Sequence, residues 1–134
     1  MPPVRRMLSR ERCFRVLAVS AGLAAVFHAA AMASPAIARL EYEPTYPQWR
    51  HVAFIAIDAS CAWLFLRRPA WFVWAYAVLT IQVLNGHGRG AWTIWATEGR
   101  VDWISVAVSI GAPVALWLLI VDWRERRSAF ATRA

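Results

Sequence analysis

The sequence predicts an all-α, polytopic membrane protein: an antiparallel bundle of four transmembrane helices with both termini on the cytoplasmic side. Three observations predict it. Hydrophobic residues make up 60% of the 134 and charged residues only 17%, against roughly 45–50% and about 25% in a soluble domain. Four apolar stretches divide the chain, each near the length that one helix uses to cross a bilayer. The arginines, which supply all 15 basic residues, sit at the ends of those stretches and form no basic face of their own. With a net charge of +7, that placement orients a membrane protein. No nucleic-acid partner is expected.

The first stretch runs from Phe14 to Ile37, and Arg5, Arg6, Arg10, Arg12 and Arg15 precede or begin it. Its basic start and Ala31-Met32-Ala33 resemble a cleavable leader. Yet the apolar run continues past Ala33 to Ile37, and His28 interrupts what would be the leader's hydrophobic core. A retained helix is expected. An outer loop follows over residues 38–50. Within it, RLEYEPTYPQWR carries Pro44, Pro47, Tyr42, Tyr46 and Trp49, a composition suited to an ordered segment at the membrane surface.

The second and third stretches, His51 to Leu66 and Ala70 to Gly86, are short for a crossing of about 20 residues and borrow length from their flanks. Only Arg67, Arg68 and Pro69 separate them, so a tight antiparallel hairpin is expected. A second outer loop spans residues 87–100. It opens among Gly86, Gly88 and Gly90 and then presents Trp92 and Trp95 at i, i+3, which suits a short helix lying flat at the interface. The fourth stretch runs from Val101 to Val121. Strands are excluded, because each stretch is too long and four cannot close a barrel. No internal repeat is visible, and residues 1–134 read as a single membrane domain.

Orientation follows from the loops. Eleven arginines flank the inner ends: the five before the first helix, Arg67 and Arg68, and Arg124, Arg126, Arg127 and Arg133. Four remain outside: Arg39, Arg50, Arg89 and Arg100. Positive charge stays in the cytoplasm, which points to the inner membrane of a bacterium. The 9 tryptophans suit interfacial belts.

Against this apolar background one residue stands out. Asp58 lies at the middle of the second stretch, where a charged Asp costs about 2.5–3.5 kcal/mol on insertion scales and should therefore face the bundle with a partner. Helical rise places His28, Asp58 and Ser109 at similar levels, roughly 10–12 Å below the outer face, with Gln82 shallower. His51, Asn85, His87 and Asp102 fall near the outer rim. Together these eight residues define an expected outward-facing pocket, and Ala18, Gly22, Ala25 and Ala29 offer close backbone approach on the first helix.

The best reading of such a pocket is a binding site for a small amphipathic or lipid-like ligand, in a binder or in an accessory subunit of a larger membrane complex. The alternative is an enzyme in which His28 and Asp58 perform acid–base catalysis on a lipid or isoprenoid-like substrate, or a proton-coupled transporter. No cofactor is expected; a haem or metal held by His28, His51 and His87 is a weaker alternative, because the three differ in depth and lack ligand spacing. A Ser109 nucleophile lacks any Gly-rich oxyanion motif. Cys13 and Cys61 form no CxxC pair, which argues against thiol–disulfide chemistry. Each group also has a plainer role. His28 and Asp58 can fix helix register, Ser109 can bond back into its own helix, and Gln82 and Asn85 can join helices.

Overall fold

A computed structural model describes residues 3–38 and 47–131. The described residues are helical with no strand. The helices are α1 (Pro3–Ala33), α2 (Pro35–Ala38), α3 (Gln48–Arg67), α4 (Phe72–Val83), α5 (Arg89–Glu98) and α6 (Trp103–Ala131), with a π turn over Leu84–Gly88. Three of them, α1, α3 and α6, are long and apolar enough to cross a membrane. The chain divides into two compact units, Met1–Arg67 and Arg68–Ala134.

In the N-terminal unit α1 packs against α3. Phe14 meets Phe65 at a ring separation of 6.4 Å, and His28 meets His51 at 5.7 Å. The two pairs have equal sequence separations on both helices, so α1 and α3 run antiparallel and in step. The face that α1 buries is marked by Phe14, Ala18 and Ala31. Of the small-residue stripe expected from sequence, Ala18 lies on this face, whereas Ala29 is exposed and a side chain at Gly22 would meet open space. Val16, Val19, Leu23 and Val26 stay exposed on another face of α1, as lipid-facing residues do.

The first helix was expected to run unbroken to Ile37. It stops at Ala33 instead, and α2 restarts at Pro35. The cause is Pro35, which has no N–H for the Ala31 carbonyl and disfavours helical geometry at Ser34. A restart one residue later suits proline, which is favoured at a first helical position; the Ile37 N–H then bonds the Ser34 carbonyl at 3.0 Å. Of the outer segment RLEYEPTYPQWR, residues 39–46 lie outside the described residues, while Gln48, Trp49 and Arg50 already belong to α3.

In the C-terminal unit the expected loop over 87–100 is helical as far as Glu98. The backbone stays right-handed through the π turn, and helical geometry continues from Phe72 to Glu98. Each of the three glycines costs about 1 kcal/mol in a helix, and packing overrides that. Gly90 is buried, and a side chain at Gly88 would meet the Ser109 hydroxyl at an ordinary 3.8 Å. The stop comes at Gly99, whose φ of +66° makes the left-handed cap that glycine provides at lowest cost. Trp92 and Trp95 share one exposed face of α5, with rings 5.2 Å apart, while Ile94, 1% exposed, anchors the opposite face.

Asp102 then caps α6. Its carbonyl accepts from the Val106 N–H at 3.0 Å and its carboxylate from the Ser105 N–H at 3.2 Å, the usual arrangement for an acidic N-cap. α6 runs through Pro113 to Ala131; Pro113 leaves the Ser109 carbonyl without its helical donor.

Candidate functional site

The N-terminal unit gathers three of the residues that the sequence singled out. On α3, His51, Phe54 and Asp58 fall at i, i+3 and i+7, one stripe of a helix. His28 of α1 enters between them. Its ring stacks on Phe54 with centroids 5.0 Å apart and planes 23° from parallel. One nitrogen, Nδ1, lies 3.5 Å from Nδ1 of His51. The other, Nε2, lies 3.9 Å from a carboxylate oxygen of Asp58. Phe27 closes the edge of the ring at 5.9 Å.

The result is a series, carboxylate–imidazole–imidazole, running from the middle of α3 toward its N-terminal end. His51 is only 4% exposed, and the side chains of His28 and Asp58 are mostly buried. Neither gap is a short hydrogen bond. A separation of 3.5 Å is at the outer limit, and 3.9 Å is beyond it but fits one bridging donor.

The C-terminal unit gathers a different set. His87, in the π turn, sits with Nδ1 3.1 Å from the hydroxyl of Ser105, and Ser105 in turn donates its backbone N–H to Asp102. A π turn is rare and concentrates at functional positions; here it brings His87 to the first turn of α6.

The remaining expected pocket residues, Gln82, Asn85 and Ser109, also belong to this unit. Gln82 on α4 and Asn85 in the π turn are exposed. Ser109 does not bond back into its helix as expected. Its hydroxyl is buried without a hydrogen-bond partner among the described residues, beside Gly88. No three His, Cys, Asp or Glu side chains among the described residues converge as metal ligands would. Cys13 and Cys61 are free thiols, the first exposed and the second buried.

One charged cluster was not anticipated. Asp122, 6% exposed, accepts from Arg68 at 3.3 Å and pairs through its other oxygen with Arg126. The Asp122/Arg126 spacing of i, i+4 was readable in the sequence. The Arg68 contact was not, because it depends on a left-handed residue at φ +48° just before Pro69. Comparison with protein-family models, curated proteins and solved structures finds no match. Fold and site together define the class alone: an all-helical chain with three helices able to span a membrane.

Proposed function

We propose that this chain is a multi-pass protein of a bacterial inner membrane, crossing it four times with both termini cytoplasmic. Its work centres on a polar site formed by Asp58, His28 and His51 and open to the extracytoplasmic side. There it binds a small amphipathic or lipid-like ligand, alone or as the accessory subunit of a larger complex. The arginine asymmetry supports the orientation. The continuous helical run from Phe72 to Glu98 supports a further crossing, since at 1.5 Å per residue it spans about 40 Å, more than the roughly 30 Å hydrocarbon layer.

The observation that carries the reading is the spacing of the series. Asp58 stands 3.9 Å from His28, a gap that a ligand hydroxyl or amine would close by bonding to both groups. A second reading is favoured by the same geometry extended to His51: carboxylate and imidazoles in line suit proton movement between the helix end and mid-membrane. That would serve acid–base chemistry with His28 and Asp58 as the catalytic pair.

The variant Asp58→Asn tests both, because it keeps shape and hydrogen bonding but ends proton exchange. Small molecules extracted from the purified protein are identified by mass spectrometry, and growth of a deletion strain is scored for rescue. Under the binding reading, Asp58→Leu loses a co-purifying amphiphile that Asp58→Asn largely keeps. Under the acid–base reading, Asp58→Asn retains the molecule and fails to rescue. If the wild type carries nothing and every variant rescues, the site has no such function.

A further inference from the structure

A second feature lies in the C-terminal unit and is independent of Asp58. An open groove of about 150 Å³ between α4 and α6 is lined by Trp74, Ala77, Leu116, Ile120, Trp123 and Arg124. All but the last are apolar or aromatic. At the roughly 30 Å³ that one water takes in the liquid, the volume equals about five waters, room for a short stretch of an acyl chain. Nothing in such a lining favours water, so inside a bilayer the groove takes an acyl chain.

The charge at its mouth selects the headgroup. Of the three arginines in the last turns of α6, Arg126 is engaged by Asp122 and Arg127 stacks on Trp123 at 4.9 Å. Arg124 is exposed and has no carboxylate partner among the described residues. A guanidinium at the end of an acyl-chain slot matches a phosphate in fork geometry. The Trp74 and Trp123 rings, 6.1 Å apart and edge to face, wall the slot where indoles concentrate, at the headgroup level.

We propose that this groove is a specific site for one anionic phospholipid, with an acyl chain against Ala77, Leu116 and Ile120 and the lipid phosphate on Arg124. The occupant comes from the leaflet at the Arg124 end of α6, and the assignment holds whichever way the chain is threaded.

The test is native mass spectrometry of the detergent-purified full chain, titrated with dioleoyl phosphatidylglycerol or dioleoyl phosphatidylcholine. Wild type is expected to retain one phosphatidylglycerol about fivefold more strongly than phosphatidylcholine, the factor for one arginine at an anionic surface. Arg124→Gln should bring the two lipids within twofold, whereas Arg100→Gln, a control in the turn before α6, should leave the preference intact. Ala77→Phe, which fills the slot, should weaken both lipids. Circular dichroism identifies any variant that fails to fold, and Arg124→Lys, which keeps the charge without the fork, then replaces it with an expected partial loss. Equal retention of both lipids by wild type would overturn the proposal. So would an unchanged preference in Arg124→Gln, or displacement of the bound lipid by millimolar inorganic phosphate, which would make the site a simple anion site.

Discussion

Replacing Asp58 with Leu should move two measurable free energies in opposite directions. A carboxylate at the centre of a crossing disfavours insertion by about 2.5–3.5 kcal/mol, whereas Leu favours it by about 0.3–0.6 kcal/mol. The segment Gln48–Arg67 should therefore enter a membrane more readily by roughly 3–4 kcal/mol once Asp58 is gone. Helix association should weaken at the same time. In the folded chain Asp58 faces His28 at 3.9 Å, and polar contacts between membrane helices are worth about 0.6 kcal/mol on average and about 1.7 kcal/mol at most. A bare Coulomb estimate at an effective dielectric of 20 would give about 4 kcal/mol, but the distance exceeds a hydrogen bond, so the smaller range applies. The insertion arm is read by glycosylation mapping of the α3 segment in a host protein. The association arm is read by denaturant unfolding in bicelles, with a double-mutant cycle of Asp58→Leu and His28→Leu. A coupling between about 0.6 and 1.7 kcal/mol is expected. A coupling below about 0.3 kcal/mol, or association strengthened by Asp58→Leu, would refute the pairing of these two side chains.

Two further outcomes follow from the C-terminal unit. Asp122→Asn should cost about 1–3 kcal/mol by denaturant unfolding in bicelles, because it weakens the charge-assisted bond from Arg68 and the ion pair with Arg126; an unchanged midpoint would mean that the cluster is solvated. Gly86→Ala should raise stability by about 0.5–1 kcal/mol, since a side chain there meets nothing within 4 Å and the helical backbone accepts alanine. A loss would mean that the π turn must open.

Much of the N-terminal unit was legible because hydrophobic period and charge placement are local signals. The stripe His51, Phe54, Asp58 needs only the pitch of a helix, and Phe14 with Phe65 mark the other end of the same pair. The partner of that stripe was half legible: depth put His28 level with Asp58, but nothing in the sequence said that the ring would stack on Phe54 and reach His51 as well. The C-terminal unit was harder. Glycine propensity disfavours a helix at Gly86–Gly90, and tertiary burial of Gly90 with the approach of Ser109 to Gly88 outweighs it. The exposure of Gln82 and Asn85 depends on how α4 rotates about its axis, which an almost uniformly apolar helix does not encode.

The three aspartates differ in how far structure alone accounts for them. Asp102 has a full structural role, since its carboxylate takes a backbone N–H that α6 would otherwise leave unbonded. Asp122 has one too, between two guanidinium groups. Asp58 caps nothing, and its partner is an imidazole 3.9 Å away. Fixing the register of α1 against α3 does not require it either, because Phe14 on Phe65 and His28 on Phe54 already do so. An acid that burdens insertion by kilocalories and returns little in packing is the kind of local conflict that a folded chain tolerates at a working site. That asymmetry is why the functional proposal rests on Asp58 and not on the better-bonded carboxylates.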